Sequence, residues 1–243
     1  IEDLKNKVKE YTSKNSKIHY FVKELTVYLN NENMPKDVTI VDTPGLDDVV
    51  DYRSKITRDY IKRANAVIVC VDSSSLRNDE YLTITKVFEN VGDDMYKVMI
   101  LGTQIDNRNN PKEDWRKQSE EWKKYLKDNF KDENLLNNNI IGVSSYIFSN
   151  LIELENTGKC NDNALINIEK LAKSYGIDLT PENSGSITAS SPEELTKIYK
   201  EMNIKAVLKK SNDIRELTNI EKVNSLMKGN IISKGTDIAM KDL

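Results

Sequence analysis

Histidine is almost absent. The 243 residues hold one, His19, which excludes a metal centre built from several imidazoles and leaves a satisfied or exposed structural histidine. Cysteine is nearly as scarce. Cys70 and Cys160 make no disulfide framework and read as reduced thiols of a cytosolic chain, one inside an apolar strand and one in a polar loop. Long hydrophobic runs are missing too. The longest, AVIVCV at 66–71, is strand-sized and far short of the roughly 18 residues that span a bilayer. The opening IEDLKNKVKE is charged and has no apolar centre of the signal-peptide kind. It also lacks an initiator Met, so residue 1 need not be the native start. Nor is there an excess of positive charge. A balance of 36 Lys and Arg against 39 Asp and Glu gives a net charge of −3, which carries no electrostatic footprint for nucleic acid. What remains is ordinary globular composition, 38% hydrophobic and 31% charged. The length suits one large α/β domain, or one domain with an appendage.

Along the chain, residues 2–14 predict a charged helix. FVKELTVYL at 21–29 and VTIVD at 38–42, separated by the turn-forming NNENMPKD, predict an antiparallel hairpin. RSKITRDYIKRA (53–64) is helical in character. NAVIVCVD (65–72) is a fully apolar strand of the kind covered on both faces. A helix over 79–91 leads to a second such strand in YKVMILGTQID (96–106). An amphipathic helix follows at 112–130, with Trp115, Trp122 and Leu126 turned to the core. NIIGVSS (139–145) is the last strand. This alternation predicts an α/β fold with a mostly parallel, doubly wound sheet.

Beyond residue 150 the pattern is largely helical: IFSNLIELEN, ALINIEKLAKSYG, SPEELTKIYKEMN with Ser191 as N-cap and Pro192 in the first turn, and one or two closing helices in IRELTNIEKVNSLMKGNIISK. IDLTPENSGSITASS reads as a loop, and so do the Asn-rich NNEN, NRNN and NNN. Three stretches result: 1–149, a helical and loop insertion at 150–212, and closing helices at 213–243.

Ligands of such sheets gather at the carboxyl ends of the strands. Four groups stand there: Asp42 to Gly45, Asp72 to Ser75, Thr103 to Asp106, and Ser144 with Ser145. An acid ending a strand can hold a Mg²⁺-bound water, and the metal neutralises β- and γ-phosphate oxygens. A glycine in the next turn brings its N–H to the terminal phosphate with no side chain in the way. Asp42, Thr43, Pro44 and Gly45 supply both. Alone, that pattern is common structure. Further along, the Asp106 carboxylate can accept from the N1–H and the 2-amino group of guanine, a donor pair adenine does not present. Thr103 would buttress this loop, the Gln104 stem would lie against the base, and backbone N–H groups around Ser144 and Ser145 could meet the guanine carbonyl oxygen. Three strand ends in this order are more specific than any one.

The other candidates are weaker. Asp47, Asp48 and Asp51 read either as a solvated loop or as a metal cluster. Ser73 as a nucleophile has no base besides His19. The lysine-rich faces at 112–131 and 205–210 read as solvated.

VDTPGL, TQID and GVSS resemble the later nucleotide motifs of a GTPase, and in detail those of the dynamin superfamily, especially its bacterial dynamin-like members. These are similar in writing DTPGL, in using a T-K-x-D guanine motif, and in carrying Leu46 where many GTPases have a water-orienting Gln. The resemblance covers residues 18–145. It implies a P-loop GTPase-type sheet, GTP or GDP and Mg²⁺ as ligands, Asp42 as a metal partner through water, a G-domain homodimer, and membrane remodelling through regions outside these residues. It implies a cytoplasmic location or a peripheral one at the inner face of the membrane. Two features depart from the pattern. Gln104 replaces the usual Lys, which removes a cation from the base. No G-x-x-x-x-G-K-[ST] occurs anywhere in the chain, and the 41 residues before Asp42 do not accommodate one with its strand and helix. Thr12 is then either a switch threonine or a helix-end residue. The expectation is a G domain truncated before its phosphate loop, binding nucleotide weakly and inactive alone. The alternatives are a pseudo-GTPase interaction module and a GTPase outside the dynamin group.

Overall fold

Apolar strands alternate with amphipathic helices from residue 51 onward, and the backbone follows that alternation. The structure, a computed structural model, describes residues 2–13, 16–17, 22, 24–28, 38–43, 46, 51–74, 76–181 and 187–229. Two units divide the chain, Ile1–Val41 and Asp42–Leu243.

In the first unit, α1 (Glu2–Thr12) is a largely exposed helix. Thr12 closes it by donating from Oγ1 to the Val8 carbonyl at 2.8 Å, which is the helix-end role. Among the described residues of 21–42, none of 24–28 or 38–42 is in a strand. Tyr28 is 92% exposed and Ile40 71% exposed. A strand draws its stability from a paired ladder and a face to bury. Alternating residues with neither cannot hold the expected hairpin. The turn expected at 30–37 lies outside the described residues.

In the second unit the order is α2 (Asp51–Arg63), β1 (Val67–Asp72), α3 (Asn78–Val91), β2 (Val98–Thr103), α4 (Pro111–Phe130), α5 (Glu133–Asn139), β3 (Ile140–Gly142), α6 (Ser145–Thr157), α7 (Asp162–Ser174), α8 (Pro192–Lys209) and α9 (Ser211–Leu217). Residues 220–229 form a further helix. The sheet has three strands in the order β1-β2-β3, all parallel. Asp72 lies opposite Thr103, and Gly102 opposite Gly142. All three carboxyl ends therefore share one edge. This is the α/β architecture the sequence predicts, with a helical carboxyl-terminal part.

One face of the sheet presents Val67, Val69, Val71, Val98, Ile100 and Ile140 to α2, α3, α4 and α5. Phe88 of α3 meets Phe130 of α4 edge-on, with centroids 4.8 Å apart. The opposite face presents Leu101, Ile141 and Val143 to Val223 of the 220–229 helix. A separate apolar cluster joins Ile105 to α6, α7, α8 and α9 through Ile147, Leu151, Ile168, Val207 and Ile214. Trp115 packs against both this cluster and the first.

Helix starts follow their side chains. Asn110, Asp132, Ser144, Asn161 and Ser191 each accept a hydrogen bond from a backbone N–H in the first turn of the helix they precede. The NNN stretch is not a loop. It ends α5, and Asn139 is buried, its Nδ2 donating to the carbonyls of Val98 (2.9 Å) and Tyr96 (3.3 Å). A buried carboxamide is retained because it satisfies carbonyls that α5 would otherwise seal from water.

Candidate nucleotide site

The shared carboxyl edge gathers the polar residues that the strands deliver. β2 ends at Thr103, whose Oγ1 donates to the Val71 carbonyl at 3.0 Å, while its own carbonyl accepts from Ser73 N. Both bonds tie the ends of β1 and β2 together. Gln104 then turns the chain with φ 61° and ψ 36°, in the left-handed region. Such a turn is uncommon for a residue with a side chain. It throws residues 105–107 into a short 3₁₀ turn, and the Asn107 amide donates to Gln104 Oε1 at 2.8 Å.

That turn drives Ile105 into the helical cluster and Asp106 inward, the latter only 2% exposed. A buried carboxylate needs a partner. It has one in Ser144, whose hydroxyl donates to Asp106 Oδ1 at 2.5 Å. Ser144 is itself fully buried and caps α6, its Oγ accepting from Ile147 N at 3.2 Å. Two further bonds seat this loop on β2: Val143 N to the Gly102 carbonyl at 2.8 Å, and Ile105 N to the Val143 carbonyl at 3.4 Å. The residue-106 and residue-144 motifs, 38 positions apart, thus form one constellation. Ser145 is exposed at the first position of α6.

From the acid-glycine turn, Asp42 and Thr43 are described outside any helix or strand, with Asp42 exposed. By surface area Cys70 is exposed, yet crowding around its thiol, and then the Asp42 carboxylate, push the Cys70 pKa upward. Asp42 is thereby within electrostatic reach of β1. Pro44 and Gly45 lie outside the described residues, as do Asp47 and Asp48. Leu46 is buried in the sheet core at 6% exposure, so its side chain faces away from solvent and orients no water. Among the described residues no group of three or more His, Cys, Asp or Glu forms a metal centre. One exposed carboxylate suits a Mg²⁺ that keeps its waters and takes its remaining oxygens from phosphate.

Arg108, Thr218 and Asn219 at this edge were not singled out by the sequence. Arg108 pairs with Asp72 Oδ1 at 3.2 Å across the ends of β2 and β1. Ser74 N also donates to that oxygen, at 2.7 Å. Among the described residues, Ser73 Oγ and Arg108 Nε are buried without a partner. Thr218 and Asn219 hold the β3 end from below: Ser144 N donates to the Thr218 carbonyl, and Asn219 Nδ2 to the Gly142 carbonyl at 2.8 Å. Arg108 was findable, two residues past Asp106 in one polar loop. Nothing in the sequence marks Thr218 or Asn219.

Hydrogen bonding from Ser74 holds the Asp72 carboxyl below its ordinary pKa. Burial opposes this, and the Arg108 and Arg77 guanidiniums reinforce it. The folded value is depressed, so the contribution to stability is complete above the ordinary carboxylate pKa of about 4 and is lost as pH falls through the lower folded value. Asp72→Asn removes that contribution. Melting temperatures taken from neutral pH down to about pH 2 are expected to fall less steeply for the variant than for the wild type. Parallel curves would show that Asp72 contributes nothing to acid sensitivity.

Residues 1–103 match the sequence profile described as the dynamin family. Over this segment the chain is similar to the dynamin family. It is also similar to Dynamin-like protein 1 of Campylobacter jejuni, 33% identical over 67 residues, which are 28% of this chain and 9% of that protein. The chain thus spans about 9% of the length of the curated relative it matches. No solved structure matches it at a significant level. The dynamin-family match closes at Thr103. Asp42, Thr43, Pro44, Gly45 and the β2 terminus fall inside it. Gln104, Asp106, Ser144 and Ser145 fall beyond it and rest on geometry.

Proposed function

We propose that this chain is part of a dynamin-family G domain carrying the base-selecting half of a guanine-nucleotide site, and that the larger protein hydrolyses GTP with Mg²⁺. The observation that carries the reading is the buried Asp106 carboxylate clamped by Ser144 at the joined ends of β2 and β3. Ser144 takes one lone pair of one oxygen. The remaining lone pairs can accept two parallel N–H groups, the pattern guanine presents through N1 and its 2-amino group. A carboxylate fixed in advance loses little freedom when the base arrives. Thr103 keeps the loop at the sheet edge, and the Gln104 stem offers a flat contact to the ring. At the other end, Asp42 holds a metal-bound water. A Mg²⁺ bound there neutralises charge on the phosphate oxygens during transfer. Assembly as a G-domain dimer, membrane remodelling, and a cytoplasmic or membrane-peripheral location belong to the same reading of the larger protein.

NMR titration of the chain with GDP and with ADP tests this. Shifts at Asp106, Ser144 and Gln104 with GDP, and an affinity at least tenfold above that for ADP, are expected, because an unmatched buried acceptor costs about 1–3 kcal/mol. Equal response to the two nucleotides removes the site from guanine recognition.

A further inference from the structure

A cleft of about 470 Å³ opens directly beside Asp106, bounded by Gln104, Asp106 and Asn107 on one side and by Tyr146, Asn163 and Asn167 on the other. That volume is ligand-sized. The second wall comes from α6 and α7, helices outside the dynamin-family match. Asn163 and Asn167 are one helical turn apart on α7, so their side chains lie one above the other on the same face. Ile166, between them, is 60% exposed and also lines the cleft. An apolar residue left in water between two carboxamides is a surface suited to a flat ring with a hydrogen-bonding rim.

The wall is held in place. Asn161 caps α7 and reaches α6: its Oδ1 accepts from Ala164 N at 2.8 Å and from the Tyr146 hydroxyl at 3.3 Å, and its Nδ2 donates to Asn150 Oδ1 at 3.1 Å. Behind it, Leu165 and Ile168 are buried in the helical cluster, and Ala164 is buried as well. The face that lines the cleft is therefore fixed, while Asn163 and Ile166 on it are exposed.

Resting on the guanine reading of Asp106, we propose that Asn163 and Asn167 form a second nucleoside-binding wall, with each carboxamide hydrogen-bonded to the nucleoside that Asp106 holds and Ile166 against its ring. The 150–212 segment then serves recognition. A carboxamide carries both donor and acceptor, so this wall adds affinity, while discrimination between guanine and xanthine stays with Asp106.

The test uses the 243-residue chain and GDP, followed by NMR. In the wild type, intermolecular NOEs are expected between the Asn163 and Asn167 side-chain amides and the guanine H8 or ribose H1′ protons. Asn163→Ala with Asn167→Ala is expected to weaken GDP roughly tenfold, at about threefold or more for each lost hydrogen bond, with thermal stability and the GDP-to-XDP preference unchanged. Asn163→Asp with Asn167→Asp, which keeps side-chain size and adds negative charge facing Asp106, is expected to weaken it further. Undiminished GDP affinity in both double variants, with binding still dependent on Asp106, overturns the α7 wall and leaves the reading of Asp106 intact. No guanine preference in the wild type overturns both.

Discussion

Asp106→Asn is expected to move base preference from guanine to xanthine, with GDP affinity falling a hundredfold or more. Guanine offers two donors where Asp106 offers only acceptors. Asn keeps one acceptor and replaces the other with an NH₂ group, which opposes the guanine donor it faces. Xanthine, with a carbonyl at that ring position, matches the new pair. Two hydrogen bonds to a charged group contribute about 1.5–3 kcal/mol each, and every 1.4 kcal/mol is about tenfold in affinity, so their joint loss is well above the scatter of a titration. The variant should fold, since Asn Oδ1 can still accept from the Ser144 hydroxyl that Asp106 now accepts from at 2.5 Å. Competition between GDP and XDP for the two proteins measures the exchange. An unchanged ratio would place Asp106 outside the base site.

The second large effect is structural. Gly142→Ala is expected to destabilise the protein by about 3 kcal/mol, the upper range for forcing an added methyl into a packed core. The Trp115 indole lies flat against the sheet. A Cβ on Gly142 would fall 2.5 Å from Trp115 Cε2, and one on Gly102 would fall 2.2 Å from its Cζ3. The ring is itself pinned, edge-on to the buried Trp122 with centroids 5.2 Å apart, and it bridges two core clusters. It cannot swing aside without disturbing both. Thermal melts should show the loss as a fall in Tm of about 6–12 °C.

Gly158→Ala is the control. Gly158 has φ +67° with nothing within 4 Å of its added Cβ, so only the left-handed backbone is strained, at about 1 kcal/mol. Combining Gly142→Ala with Trp115→Leu should cost less than the sum of the two single changes, because removing the ring removes the clash. Strict additivity would mean that the indole does not cover Gly142.

Much of the fold was legible. Continuous apolar strands at 67–72 and 98–103, each followed by an amphipathic helix, point to a parallel sheet, and that sheet is present, but β1 is not covered on both faces as expected, since it alternates buried residues with the exposed Ile68 and Cys70. The hairpin expected over 21–42 was read from alternation alone. Alternation says which side chains would share a face, not whether a partner strand exists to complete the ladder. Asn-rich composition suggested loops at 137–139, but Asn139 is buried because two nearby carbonyls need a donor, a demand visible only once α5 and β2 are packed.

For the candidate site, the sequence by itself determined the chemistry of each candidate position: an acid at 42, which ends no strand, an acid in the turn after β2, a serine after β3. Chain-local rules reach that far, since a strand must stop somewhere and its stopping residues can be read. Tertiary structure alone decided that Asp106 meets Ser144, that Arg108 crosses to Asp72, that Trp115 lies on two glycines, and that α7 faces the 104–107 turn. Those contacts join residues far apart in the chain. Strand register and helix docking bring them together, and short-range periodicity carries no information about either.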